Sequence, residues 1–274
     1  MSIITISRGS YSKGKEVAEK LSQRLNYKCI GREILLDASN EFHVPELKLT
    51  QAIRNSPSVL DKITYRKERY LTYIQAALLE ALQSDDVVYH GFAGHFFLTG
   101  VSHVMKIRII ADMEDRLKIV MDRDRISRLE ALNLIKHLDD ERKKWSKYLY
   151  GIDTSDAGLY DAVFHIHKIT VDDAVDLICD LLQSNRFKTT PQSQKVLADL
   201  ATTAKIKASL FNIKPDIQVA MQNGYLLVRT EGSLMREGVI VQEILEVLKN
   251  FPEVQDKKCR INIVPSNYEM SCFG

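Results

Sequence analysis

The chain has 274 residues, more than one domain usually contains, so its length predicts two domains. Its formal net charge of +2 is too small to indicate a nucleic-acid partner, and its 45% hydrophobic residues are typical of a chain that buries a core. The four cysteines have no C-x-x-C spacing, which argues against a disulfide scaffold. The absence of signal-peptide features argues against a secreted precursor, and the absence of an apolar run of about 18 residues argues against a transmembrane protein. We therefore expect a cytoplasmic protein.

The chain opens in the order strand, loop, helix. The apolar, β-branched run at residues 3–6 predicts a buried parallel strand. A glycine-containing loop follows over residues 7–14, and then Val17, Ala18 and Leu21 recur at helical spacing. This order is typical of the start of a nucleotide-binding α/β fold.

Further strands and helices alternate along the first two-thirds of the chain. A helix is predicted over residues 59–82, and Ser127 and Thr170 each open a capping box, which predicts helices that reach residues 147 and 182. The remaining predicted strands lie at residues 27–30, 86–89, 106–111 and 162–166. Because strands alternate with helices, we expect a parallel sheet with helices on both faces.

A polar, proline-containing stretch at residues 186–192 is interpreted as a linker. It divides the chain into a first domain, residues 1–185, and a second, residues 193–266, followed by a tail at 267–274. The predicted order in the second domain is α-β-β-α-β, with a hairpin turn at the Asn223-Gly224 pair, since both residues tolerate positive φ. The second domain is therefore predicted to be a small α+β module.

Residues 9–15 match the phosphate-binding pattern G-x-x-x-x-G-K. Gly9 and Gly14 let the backbone wrap so that several N–H groups converge on phosphate oxygens at the positive end of the next helix. Lys15 can then reach the β- and γ-phosphates as a point charge. We predict that a nucleotide binds to the loop residues Gly9, Ser10, Tyr11, Ser12, Lys13, Gly14, Lys15 and Glu16.

The pattern departs from the usual one directly after the lysine. A Ser or Thr normally follows and holds Mg²⁺, whereas Glu16 and Val17 follow here. Glu16 suits a helix N-terminus by its charge, yet it would repel a triphosphate unless Mg²⁺ lay between them. Ser10 and Ser12 stay open as hydroxyl donors, and the metal ligand is left unassigned.

Six motifs together resemble the cytidylate-kinase-like family of P-loop nucleoside-monophosphate kinases over about residues 1–183. They lie at residues 5–9, 31–35, 91–98, 111–116, 139–142 and 160–164. The resemblance implies a P-loop NTPase fold with a five-stranded parallel sheet and a helical lid that carries arginines. It also implies phosphoryl transfer from ATP, with Mg²⁺, to a nucleoside monophosphate.

The resemblance also implies roles for several cations, because phosphoryl transfer needs positive charge around the transferring group and no covalent nucleophile. Lys15, Arg116 and Arg142 are the expected catalytic residues. Arg123 and Arg125 on the lid-like helices are expected to bind substrate. Acidic residues flank these arginines, so a salt-bridged, solvated helix face is the alternative interpretation.

A second departure concerns the acceptor. The family pattern resembles Gly-Arg-Gly after the third strand, whereas Gly91-Phe92-Ala93 stands here, and a phenylalanine cannot bind phosphate. His95 lies nearby and is expected to substitute in part. With Phe92 and Glu16 in place of two expected contacts, a nucleotide-binding regulatory protein without turnover is the alternative hypothesis.

Two weaker features complete the predictions. The C-terminal module resembles a BON domain over residues 193–265, which implies self-association or binding of a lipid or other ligand, and an adaptor role is a third hypothesis. His165 and His167 place two imidazoles on one face of a strand, a conceivable metal pair. No cysteine or carboxylate stands at a supporting spacing, which favours two ordinary strand residues.

Overall fold

The computed structural model describes residues 2–54, 66–91, 94–222 and 224–265. Its larger sheet has five strands in the spatial order β2-β3-β1-β4-β5, and every pairing between them is parallel. The strands are β1 (Ile3–Arg8), β2 (Lys28–Ile30), β3 (Val87–Tyr89), β4 (Val104–Ala111) and β5 (Ala162–Ile166). The predicted five-stranded parallel sheet is therefore confirmed.

Two of the helices that accompany this sheet begin where their capping boxes predict. A third covers Arg66–Leu82 of the helix predicted over residues 59–82, and residues 59–65 lie outside the described part of the chain. Both capping boxes are present, because the side chains of Ser127 and Thr170 accept the N–H three residues on and receive the reciprocal bond. The helix after Ser127 runs to Tyr150, slightly beyond the predicted end. The helices are α1 (Gly14–Leu25), α2 (Ile34–Phe42), α3 (Glu46–Arg54), α4 (Arg66–Leu82), α5 (Gly94–Phe97), α6 (Met113–Asp124), α7 (Arg128–Tyr150) and α8 (Val171–Leu182).

Each face of the larger sheet is covered by its own hydrophobic core. Ile3 and Ile4 are adjacent on β1 and point to opposite faces, so they belong to different cores. One core includes α2 and α4, and the other includes α1 and α8. Trp145 on α7 is fully buried in the first core and donates a hydrogen bond to the Ala52 carbonyl at 3.1 Å, which fixes α7 above that face.

The C-terminal segment has the predicted order α-β-β-α-β, with one additional short helix. Strands β6 and β7 form an antiparallel hairpin, and β7 pairs in parallel with β8. Gly224 has φ 79° in the hairpin turn, while Asn223 lies outside the described residues. The elements are α9 (Pro191–Leu210), β6 (Gln218–Gln222), β7 (Tyr225–Gly232), α10 (Glu237–Leu248), α11 (Pro252–Gln255) and β8 (Lys258–Pro265).

Helix α9 contributes side chains to cores on both sides of the predicted linker. It begins at Pro191 behind a Thr190 capping box, so its first residues lie within that stretch. Leu197 near its start belongs to the first core of the larger sheet, whereas Ile206 and Leu210 near its end belong to the core of the smaller sheet. The division into two domains, the tail and the BON-like assignment stay predictions.

No helix among the described residues is both long and apolar enough to cross a lipid bilayer.

Candidate functional site

A cleft of about 1140 Å³ opens at the carboxyl ends of β1, β3 and β4. This is where open parallel sheets bind their ligands, because the loops after neighbouring strands meet there. The volume is sufficient for a nucleotide-sized ligand, since ligand pockets span roughly 300–1,000 Å³. The basic side chains that line the cleft are Arg8, Lys15, Arg32, Arg108, Arg116, Arg123, Arg142 and Lys143.

The phosphate loop joins β1 to α1 in a backbone conformation that suits anion binding. Tyr11 and Lys13 both have positive φ, at 58° and 61°, and Lys13 occupies the position before the first helical residue. Gly14 packs against Arg8 so closely that an added Cβ would lie 2.7 Å from the Arg8 Cβ, which excludes other residues there. The loop therefore meets the positive end of α1, the predicted place for phosphate.

Ser12 ties the loop to the neighbouring strand. Its side chain is almost fully buried, and the carbonyl oxygens of Gly9 and Ile109, each 3.0 Å from the Ser12 hydroxyl oxygen, share its single hydrogen. The Gly9 N–H donates to the same Ile109 carbonyl. Since the Ser12 hydroxyl is engaged within the loop, its predicted contribution to nucleotide binding reduces to its backbone N–H.

Arg116 connects the phosphate loop to helix α7. Its Nε donates to the Ser10 carbonyl at 2.6 Å, and its terminal nitrogen pairs with the Asp139 carboxylate. The same carboxylate accepts the Ser10 N–H at 3.1 Å. Two of the hydrogen-bonding groups of Arg116 are thus occupied by the protein and tether the loop, while Arg116 also lines the cleft and its catalytic role stays a prediction.

Arg8 and Arg142 lie next to each other in the cleft, and Arg142 donates to the Arg8 carbonyl at 3.1 Å. Burial, followed by the neighbouring Arg8 charge, lowers the pKa of Arg142, and burial also lowers that of Arg8. Both guanidiniums nevertheless stay charged, because their ordinary pKa values exceed about 12. Asp139 moderates the charge near Arg142 but already binds Arg116. Both side chains line the cleft, where their positive charge favours a bound anion.

Lys15 and Glu16 point in different directions from the first turn of α1. Lys15 lines the cleft with 61% of its side chain exposed, and its ammonium lies 3.4 Å from Glu19. Glu16 lies 3.8 Å from Lys20 and is absent from the described residues that line the cleft. The repulsion between Glu16 and a triphosphate that the sequence suggested is thus weakened by its position.

The three predicted substrate-binding residues have different positions. Arg123 lines the cleft, stacks 4.7 Å from the centre of the Tyr11 ring and pairs with Asp124 at 2.6 Å. Arg125 ends α6 with φ 55° and is not among the described cleft residues. His95 belongs to α5, but its side chain, like Phe92 as a whole, lies outside the part of the chain that the structure describes.

Sequence reasoning missed a group of side chains on the far wall of the cleft. The His90 imidazole packs so tightly on Gly31 that an added Cβ would lie 2.6 Å from the ring. Burial, and then the charge of Arg8, lower the pKa of His90. Its Nδ1 is buried without a hydrogen-bond partner among the described residues. Glu33 accepts the Gly31 N–H at 2.8 Å and holds this turn in place.

Comparisons with known proteins agree with the fold. The cytidylate kinase-like family matches residues 3–168. The chain is 27% identical to a cytidylate kinase of Staphylothermus marinus over 179 residues, or 64% of this chain and 90% of that protein. It is 24% identical to a cytidylate kinase of Sulfolobus acidocaldarius, over 65% of this chain and 93% of that protein. A solved structure of an uncharacterized Eubacterium ventriosum protein has a TM-score of 0.50 at 22% identity, covers 68% of this chain and all of its own, and supports the fold alone.

Proposed function

The chain belongs to the cytidylate kinase-like family, and we propose that it transfers a phosphoryl group from ATP, with Mg²⁺, to a nucleoside monophosphate. The observation that carries the proposal is Arg142, a partly buried guanidinium that lines the cleft and donates to the Arg8 carbonyl, where the phosphate loop begins. A triphosphate would bind Arg142, because the nearby Asp139 carboxylate already pairs with Arg116. The bond to the Arg8 carbonyl holds Arg142 in place before the ligand arrives, which is the condition for efficient electrostatic stabilisation.

Several groups in the donor half of the cleft support this proposal. The loop and the N-terminus of α1 would hold the β- and γ-phosphates, and Lys15 is exposed enough to move onto them from Glu19. Arg142 would neutralise charge on the group in transit. Arg116 would act indirectly, because it keeps the loop in register with the lid helix α7.

The acceptor is proposed to be a nucleoside monophosphate, with a pyrimidine base as the first candidate because the named relatives are cytidylate kinases. Phe92 replaces an expected cation in this half of the site. Losing a charge-assisted contact to phosphate costs about 1.5–3 kcal/mol, or roughly tenfold to a hundredfold in acceptor binding. Slow turnover or an altered acceptor preference is therefore expected.

A regulatory nucleotide-binding protein without turnover is the second candidate. It is favoured by Glu16 at the position that usually supplies a hydroxyl to Mg²⁺, and by the engagement of Arg116 and Ser12 within the protein. Both candidates require that the loop binds a nucleotide, and they differ only in whether a phosphoryl group is transferred.

The two candidates are separated by measuring binding and turnover on the same variants. Thermal unfolding with ATP and Mg²⁺ reports binding, since a ligand at 100 times its dissociation constant stabilises the folded state by about 2.7 kcal/mol. Release of ADP across a panel of monophosphates reports turnover. Lys15→Ala should lose most of the thermal shift. Lys20→Ala is the matched control, because Lys20 lies on the same helix and pairs with Asp172 at 2.8 Å.

Arg142→Met and Phe92→Arg test the two halves of the reaction. Arg142→Met should lower kcat/KM by roughly tenfold to a hundredfold or more, the effect of removing one charge-assisted contact to phosphate. Phe92→Arg should raise phosphorylation of cytidine monophosphate. If ATP binds but neither the natural chain nor Phe92→Arg releases ADP with any monophosphate, the regulatory candidate replaces the kinase. If no nucleoside triphosphate shifts the unfolding temperature, both candidates fail.

A further inference from the structure

Four side chains with metal-binding groups converge on the surface where β5 ends and α6 begins. His165 and His167 lie two residues apart on one side of the β5 segment, and Asp112 and Asp115 lie at the start of α6. The parallel pairing of Ile110 with His165 brings the two elements together. The carboxylates that face the two histidines therefore come from residues more than fifty positions earlier.

The distances within this cluster suit a shared ion. His165 Nε2 lies 3.0 Å from one Asp112 oxygen, and His167 Nδ1 lies 3.3 Å from the other. His167 Nδ1 is also 3.1 Å from Asp115. Asp112, Asp115 and His167 each offer one ligand atom, a carboxylate oxygen or an imidazole nitrogen, and these three atoms lie within 4.8 Å of one another. Ligands about 2.0–2.1 Å from a tetrahedral metal are separated by about 3.3 Å, close to these values.

A second observation concerns the way in which Asp112 is used. It occupies the N-cap position of α6, where an aspartate usually accepts an N–H from the first turn. Here its side chain makes no such bond, and its two oxygens face His165 and His167 instead. Asp112 therefore gives up a stabilising cap in favour of the two imidazoles.

Two exposed Asp–His contacts are weak compensation for the lost cap, because water competes for both partners. All four side chains are between one-third and about one-half exposed, so an ion has free access and water can complete its coordination. Two imidazoles with carboxylates form a ligand set that suits zinc, nickel and copper better than magnesium, which prefers oxygen ligands alone. The described residues that line the cleft include none of the four.

We propose that Asp112, Asp115, His165 and His167 form a binding site for Zn²⁺ or a related divalent transition metal, separate from the ion that accompanies ATP. The site does not depend on the proposed kinase activity. It lies on the same side of the molecule as the phosphate loop, because α6 and the loop both follow carboxyl ends of strands in the parallel sheet.

Isothermal titration of the full chain with ZnCl₂ at pH 7.5 tests the proposal directly. The expected result is one saturable site that is unaffected by millimolar Mg²⁺. His165→Gln and His167→Gln should each weaken Zn²⁺ binding at least tenfold. His43→Asn is the matched control, because His43 is an exposed histidine with φ 51°, a conformation that asparagine tolerates. It should leave the isotherm unchanged.

Asp115→Asn serves as a second variant that keeps the shape of the side chain and removes its charge, and it should also weaken binding. Circular dichroism of each variant checks that the fold is retained. The proposal is overturned if 100 μM Zn²⁺ gives no binding, if binding persists unchanged in both histidine variants, or if Mg²⁺ displaces Zn²⁺ from the site.

Discussion

Replacing Leu197 by alanine tests whether helix α9 is a structural part of the larger sheet's core. Leu197 is fully buried there, although it follows the predicted linker in sequence. A buried leucine truncated to alanine costs about 2–5 kcal/mol, from lost burial and from the cavity left behind. Because Leu197 has no exposed surface, we expect about 3 kcal/mol, near the middle of this range.

Urea unfolding followed by circular dichroism measures this loss. Ile206→Ala is the companion variant, since Ile206 is fully buried in the core of the smaller sheet and should cost a similar amount. Leu129→Ala is the control, because Leu129 is 67% exposed on α7 and should change stability by less than about 0.5 kcal/mol. If α9 joins the two cores, both buried substitutions shift one common transition.

The opposite result would support the two-domain division. A structural role of α9 in both cores is refuted if Leu197→Ala leaves the free energy of unfolding unchanged. It is also refuted if Ile206→Ala shifts a separate unfolding transition and leaves the larger one in place. Limited proteolysis adds an independent measurement. Cleavage between residues 186 and 194 that releases a stable fragment of residues 1–185 would show that α9 is dispensable for the first core.

Three further predictions follow from single contacts. Gly31→Ala should destabilise the fold by about 1–3 kcal/mol in urea unfolding, because the new Cβ would lie 2.6 Å from the His90 ring. Gly238→Ala in α10 is the control, since its new Cβ meets no atom within 4 Å and the change should be neutral or stabilising. Ser12→Ala should cost about 1–2 kcal/mol and weaken ATP binding in a thermal-shift titration, and unchanged values for both would contradict its role as an anchor of the loop. Burial lowers the pKa of His103 below its ordinary value of about 6.5. Below pH 6.5 the unfolded state therefore binds more protons than the folded state, and the free energy of unfolding should fall as the pH decreases. The slope of that free energy against pH should be shallower in His103→Gln.

Local sequence determined much of the first two-thirds of the fold. Both capping boxes, at Ser127 and Thr170, were predictable because the reciprocal hydrogen bonds join residues three positions apart. The first strand and the phosphate loop were predictable for the same reason, since their signals lie within fifteen adjacent residues. In the C-terminal segment, the β6–β7 hairpin also followed from neighbouring residues.

Tertiary structure alone decided the partners of the charged residues. The sequence shows that Arg116 and Arg142 are cations, but the hydrogen bond from Arg142 to Arg8 spans 134 positions and the bond from Arg116 to Ser10 spans 106. Likewise, Asp112 meets His165 across 53 positions, so no spacing rule connects them. A charged side chain binds the partners that the packed strands and helices bring close to it, and that placement depends on the hydrophobic cores. The same dependence explains α9. The polar residues at its start predict a linker, whereas the burial of Leu197 in the first core depends on the folded structure.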